Sequence, residues 1–355
     1  MTETRLFLSP SIFAEREHTL VEHGVLVATA FHYDSGVAAL RIENDRGALV
    51  LLPYQGQQIW SAHFNGRELT MRSMFEQPYP TRDFLRTFGG FFQHCGLTSG
   101  AGTGDNSAGG YGELPNAPYD KAWLIAGEDD LGMFLELGGE YRHTRAFTCD
   151  YVAQPRVRLY AGRATFAAYL HVSNLMRSPM DLAYTAHINF RPVDNGWLVY
   201  SARYDRDHIR VRTDMPEHSK KSAAAREFLQ ELAEEPEKHH VMAPNLSFDP
   251  PVTLYVDYQT DPDGFAHSLQ IHTDGASDYV RHRPDQLPCG MRWIYRSPDY
   301  DALGLVLPST AAEPGRGSSF VLGAGEVWEC ETVMGALTVE ETRRVRAVIE
   351  QIQEI

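Results

Sequence analysis

Along most of the chain, apolar and polar positions alternate in short runs bounded by Gly, Pro, Asn or Asp. Runs of this kind predict strands at Val25–Phe31, Val37–Ile42, Ala48–Leu52, Leu131–Leu137, Ala164–Val172 and Leu182–Phe190. The same pattern continues at Val252–Tyr258, Phe265–Ile271, Met291–Tyr295, Leu303–Leu307 and Glu326–Met334. Many strands with almost no helix between them predict an all-β, mostly antiparallel sandwich or barrel rather than a βαβ fold.

Two segments break this rhythm with a helical period. Over Ser219–Glu234 the apolar residues Ala225, Phe228, Leu229 and Leu232 share one face, and Pro236 stops the run. This predicts a short helical insertion, about 219–236, between strands. Near the end, Thr338 and Glu341 have capping-box spacing, and Val345, Val348, Ile349 and Ile352 form one stripe over about 338–353. Glu340 and Arg344 are spaced to pair on the exposed side. The stripe is expected to pack across a sheet; a partner contact such as a homodimer interface is the sharper alternative. Nothing else marks a domain boundary, so one domain over 1–355 is expected.

A third kind of text runs from Gly89 to Trp123. Nine of the 29 glycines fall between Gly89 and Gly112, interleaved with His94, Cys95, Asp105, Asn106, Tyr111, Glu113 and Asn116. Glycine permits positive φ and close backbone approach. A long loop without secondary structure of its own is uncommon in a compact domain and often functional. The stretch reads as a pocket wall, or more plainly as a polar surface loop.

Composition narrows the function. With 43% hydrophobic and 22% charged residues, the 355-residue chain can bury a large core. A net charge of −15 disfavours nucleic acid and anionic membrane as partners. No apolar run approaches the roughly 20 residues of a membrane span. The first residues lack the basic and apolar regions of a secretion signal, and Cys95, Cys149, Cys289 and Cys330 are scattered. A cytoplasmic location with reduced thiols is expected.

Three further clusters carry candidate chemistry. Ala186–Gly196 runs from a strand into a turn, with His187 and Asn189 on one face and Ile188 and Phe190 on the other. A histidine on a polar strand face suits general acid work, or is satisfied by a neighbouring carbonyl. Pro308–Gly315 places Glu313 in a loop after a strand, where packing can set its pKa or solvent can leave it ordinary. Thr81–Phe88 carries Arg82 and Arg86, whose planar forks suit sugar hydroxyls or a carboxylate when they are not plain surface charges. No dinucleotide, P-loop or nucleophile-elbow pattern occurs, and Glu237-Lys238-His239-His240 reads as a solvated loop rather than a metal site.

In order, these segments resemble the galactose mutarotase-like superfamily, in particular its branch of aldose 1-epimerase-family proteins of uncertain substrate. The matching text is Phe88–Leu97, Gly112–Tyr119, Gly139–Phe147, His187–Phe190 and Ala312–Pro314. The resemblance spans about residues 40 to 335. It implies a large antiparallel β supersandwich with an open cleft, and interconversion of the α and β anomers of a monosaccharide or modified sugar. One group takes the proton of the C1 hydroxyl and another protonates the ring oxygen; the ring opens, rotates and recloses, with no cofactor or metal. By resemblance His187 is the acid and Glu313 the base. Arg86, His94 and Glu113 line the sugar site, joined by Arg82, Asn116 and Asp194. Where the family carries a histidine before Gly-Glu-Leu-Pro-Asn, this chain has Tyr111. A phenol can donate to a sugar hydroxyl but does not titrate near neutrality. The change points to another sugar, another isomerisation or glycoside cleavage in the same cleft, or carbohydrate binding without turnover. Trp60, Trp123 and Trp197 are then candidate stacking residues, or core packing.

Overall fold

The computed structural model describes residues 2–98, 111–214, 223–244, 247–311 and 320–354. Two large antiparallel sheets face each other. Nine strands form one, in the order Thr2–Leu8, Lys121–Asp129, Gly132–Arg145, Cys149–Tyr160, Thr165–Asn174, Val327–Leu337, Ser277–His282, Ala266–Ile271 and Trp197–Tyr200. The other sheet runs Ile209–Val211, Phe248–Val256, Cys289–Arg296, Asp301–Ser309, Thr185–Ile188, Phe92–Cys95, Ile59–Phe64, Gly47–Leu51, Ala38–Asn44, Leu26–His32 and His18–His23. Arg67–Glu68 pairs beside Ile59–Phe64 as its twelfth strand.

The alternation expected from the sequence holds because each sheet buries one face against the other. Phe64 and Phe91 meet Phe166 of the opposite sheet in this interior, with Phe64 and Phe166 stacked at 5.6 Å, and Phe190 stands edge-on to Phe91 at 4.9 Å. Ala186 and Ile188 belong to the same core. The architecture is the antiparallel β supersandwich that the resemblance implied.

Both helices form. The first, α1, is Ala223–Glu234; it buries Leu229 and Leu232 and sets Phe228 edge-on to Phe248 at 5.8 Å. The expected residues 219–222 lie outside those described. The second, α2, is Val339–Gln353. The Thr338–Glu341 capping box is made in both directions, and Arg344 binds Glu340 at 2.8 Å. Its stripe packs on the outer face of the nine-stranded sheet, where Ile349 meets Val199, Leu269, Tyr279 and Leu337.

Two expectations are corrected. The stretch from Gly89 is not a structureless loop throughout. Phe92–Cys95 is a central strand, Lys121 opens another, and only 99–110 lies outside the described residues. The segment around His239 and His240 is not a solvated loop either. Pro236–His240 is a 3-10 turn whose two histidines are buried. His239 Nε2 accepts from Arg292 at 2.8 Å, and His240 Nε2 lies 2.7 Å from Tyr200 Oη. Arg292, on the strand Cys289–Arg296, is itself fully buried; it donates to Leu305 O at 2.9 Å and lies 4.0 Å over the Tyr200 ring. Among the described residues Arg292 has no carboxylate partner and takes neutral acceptors instead, His239 being one of them.

Among the described residues no helix is long and apolar enough to cross a membrane. No disulfide joins the four cysteines.

Candidate active site around His187

The strand Thr185–Ile188 lies between Asp301–Ser309 and Phe92–Cys95. Its register pairs His187 with Gln93 and Ala186 with His94. Ala186 faces the inter-sheet core, so His187 and Gln93 face outward from the larger sheet. Asn189 shares that outer face, as the spacing predicted. Its amide donates to Gly90 O and to Gln93 Oε1, each at 3.0 Å, and Gln93 Nε2 also donates to Gly90 O. These bonds fix a polar floor beside the imidazole.

That floor is roofed by aromatic rings rather than open to water. Asp83 caps a 3-10 turn, Phe84–Arg86, by accepting from Leu85 N. The turn lays Phe84 4.3 Å from Tyr111 and 6.3 Å from His187, between ring centroids. Phe88 meets His187 edge-on at 5.5 Å, and Trp293 stands at 5.8 Å. His187 is left 5% exposed, and its Nδ1 has no hydrogen-bond partner among the described residues. Burial lowers its pKa to about 4, with Asn189 opposing. Tyr111 is pushed up to about 12 by burial, with Cys95 adding to the shift. At neutral pH the pair is therefore uncharged, with one imidazole nitrogen able to accept a proton and a phenol able to donate one.

Of the residues expected to line a sugar, only Tyr111 meets His187, at 6.2 Å. His94 does not join them. It points into the inter-sheet core, fully buried, with Nδ1 2.7 Å from Tyr184 Oη, and burial holds its pKa near 3. Glu113 turns toward the nine-stranded sheet. Its Oε1 accepts from Thr98 N, Thr98 Oγ1 and Tyr151 Oη at 2.8–3.0 Å, which keeps its pKa low against the opposing effect of burial. Asn116 is a buried anchor whose Oδ1 accepts from Gln55 and Gln58. Arg82 clamps the same segment, donating to Asn116 O and Glu113 O. Arg86 is exposed at the end of the 3-10 turn. Asp194 pairs with Arg296 at 2.9 Å in the turn after the His187 strand. Glu313 lies outside the described residues.

Among the tryptophans singled out, Trp60 and Trp123 are buried and Trp197 is half exposed, with Arg346 5.1 Å over its ring. None of them is at His187. Besides Tyr111, the rings that are there belong to Phe84, Phe88 and Trp293. Phe84 and Phe88 have a four-residue spacing, and Trp293 alternates with Met291 and Tyr295 along one strand. Those spacings were the available signals.

Solved structures share this architecture at low identity. A "putative aldose 1-epimerase" from Klebsiella pneumoniae superposes with a TM-score of 0.78 at 14% identity, covering 99% of this chain and 96% of that one. A galactose mutarotase-like protein from Clostridium acetobutylicum gives 0.56 at 11%, over 88% and 98% of the two chains. Galactose 1-epimerase from Lactobacillus acidophilus gives 0.54 at 12%, over 90% and 98%. These likenesses show the fold to be galactose mutarotase-like. No curated protein sequence matches the chain. The profile of one family, described as "Domain of unknown function (DUF4432)", spans residues 34–319, and the chain belongs to that family.

Proposed function

We propose that this protein is a sugar isomerase of the aldose 1-epimerase type, acting on a monosaccharide or modified sugar at the outer face of the larger sheet. The observation that carries the reading is His187. It is a neutral imidazole whose Nδ1 has no hydrogen-bond partner among the described residues, on a hydrogen-bonded floor and ringed by Phe84, Phe88, Tyr111 and Trp293. Aromatic walls suit the C–H face of a pyranose while polar groups at the floor take its hydroxyls. The neutral state makes His187 a proton acceptor first, and an acid only once it has been charged. Tyr111, protonated across the physiological range, is the neighbouring donor. Glu313 enters as the second proton-transfer group on sequence resemblance alone.

For a sugar to touch His187, the Phe84–Arg86 turn has to lift. Cover of this completeness also favours a second reading, carbohydrate binding without turnover. Polarimetry and exchange NMR over a panel of aldoses separate the two. Catalysed anomer exchange that disappears in His187→Asn supports the isomerase. Saturable sugar binding with exchange at the buffer rate supports the second reading. Neither binding nor exchange with any sugar rejects both.

A further inference from the structure

The outer face of the nine-stranded sheet carries a cleft of its own, of about 270 Å³, beneath the start of α2. Its polar lining is Arg163, Thr165, Tyr279, Arg281, Glu341 and Arg344. Three guanidinium groups against one carboxylate is a local reversal of a chain whose net charge is −15. Glu341 keeps its charge there while its Oε2 accepts from Thr338 N at 2.8 Å and from Thr338 Oγ1 at 2.7 Å, and three arginines against it leave the lining two positive charges in excess.

Two of the arginines have no carboxylate partner among the described residues. Arg163 lies 5.8 Å from the Tyr160 ring centroid. Arg281 lies 4.3 Å over Phe265, and its buried Nε–H has no acceptor. Arg344 pairs with Glu340 in an exposed bridge of little strength, and its charge also acts on Glu341. The floor between them is held in place. Tyr279 Oη donates to His267 Nδ1 at 2.9 Å, and His267 Nε2–H donates to Asp261 at 2.9 Å. That chain leaves the tyrosine ring as a fixed wall and spends Asp261 away from the arginines.

We propose that this cleft binds a phosphate group, as inorganic phosphate or as the phosphate of a small phosphorylated metabolite. Planar guanidinium forks match tetrahedral oxyanions through paired N–H donors. Two uncompensated cations match a dianion, and the volume lies at the small end of ligand pockets. The site is on the sheet opposite His187 and does not depend on what His187 does. An anion seated there would bridge the strand Ser277–His282 to α2 and stabilise the folded chain by mass action.

The test uses the full chain, at constant ionic strength maintained with sodium chloride. Calorimetric titration and thermal unfolding are followed with inorganic phosphate and, separately, with glucose 6-phosphate. Saturable binding and a rise in Tm are expected with at least one probe. The exposed Arg163→Gln and the lining Arg281→Gln should each weaken binding about tenfold, the loss of one charge-assisted contact. Arg281→Lys should recover part of it, which a merely structural role for Arg281 would not predict. Tighter binding of glucose 6-phosphate would identify an ester as the ligand, and equal binding would identify the phosphate group alone. Absence of saturable binding by either probe up to about 10 mM, weaker than any useful affinity, overturns the proposal. So does unchanged affinity in the Arg163→Gln/Arg281→Gln double variant.

Discussion

His187 pairs across the larger sheet with Gln93, and His94, one residue along, therefore points to the opposite face. One step in register decides which histidine can meet a ligand. On the proposed function, His187→Asn should lower catalysed anomer exchange by about 10²- to 10⁴-fold, the usual worth of a positioned proton-transfer group, with little loss of stability. His94→Leu should do the reverse, leaving turnover of the folded fraction nearly unchanged while shifting the denaturation midpoint. Progress curves by exchange NMR beside urea titrations check both. Equal activity losses would remove the distinction between the two faces.

Phe84 packs 4.3 Å from Tyr111, between ring centroids, in the roof over His187. Phe84→Ala should let water reach His187 and raise its pKa from about 4 toward the ordinary 6.5. Titration of the imidazole C–H resonances, assigned with His187→Asn, reads this directly. A pKa that stays where it is would mean that Phe88 and Trp293 alone exclude solvent.

Buried neutral histidines also set how the protein responds to acid. Burial lowers His94, His240 and His282 to about 3 and His187 to about 4, against 6.5 for the ordinary side chain. The folded state binds these protons more weakly than the unfolded chain does. Stability is thus complete above about 6.5 and is lost as pH falls from there toward the folded values. Each fully buried histidine costs up to about 1.4 kcal/mol per pH unit in that window. Denaturant midpoints measured from pH 7.5 to 4.5 should fall with steepening slope below 6.5, and His94→Leu should flatten the curve.

Arg292 is a cation held by a carbonyl, an imidazole and a phenol ring. Arg292→Ala removes the donor that His239 Nε2 and Leu305 O rely on and leaves a void. A loss of about 3–5 kcal/mol in urea denaturation is expected. Arg292→Met refills the volume without the charge and should lose less than half as much. If methionine proves as damaging as alanine, hydrogen bonding outweighs packing at this point.

Gly96 has φ near +104°, and a Cβ there would lie 2.0 Å from Ala183 O. Its N–H also donates to Tyr111 O, and its carbonyl accepts from Leu114 N. Gly96→Ala should destabilise the chain by roughly 2–3 kcal/mol through backbone strain and shift Tyr111 off His187. A changed His187 titration in this variant, with the fold retained by circular dichroism, would report that displacement.

Many strands were legible where side chains alternate over several residues, and both helices where the apolar stripe runs past two turns; Cys149–Tyr160 alternates over 12 residues but was not, with Pro155 in its middle and arginines on its outer face. Phe92–Cys95 was not, because it is four residues long and flanked by glycines that read as loop. Of the candidate site, His187 and Tyr111 are the residues named from the sequence that the fold brings together. Its walls were not legible, since which residues face His187 follows from cross-strand register and from where the Phe84–Arg86 turn folds back. Neither is written in local spacing. His94 and Glu113 sit in text that looks like a site, yet a one-residue offset and a hydroxyl from the opposite sheet, Tyr151, draw them away. The buried partners of His239 and His240, Arg292 and Tyr200, lie too far away in sequence for local spacing to reveal them.

The central position of Thr185–Ile188 has a kinetic consequence. Its neighbours come from both ends of the chain: His94 reaches Tyr184 across 90 residues, and Thr185 reaches Ser309 across 124. Contacts closed over such separations form slowly. During synthesis the ribosome must release the chain past Ser309 before the strand beneath His187 can gain its second neighbour, so nascent chains acquire a sheet edge long before they acquire a site.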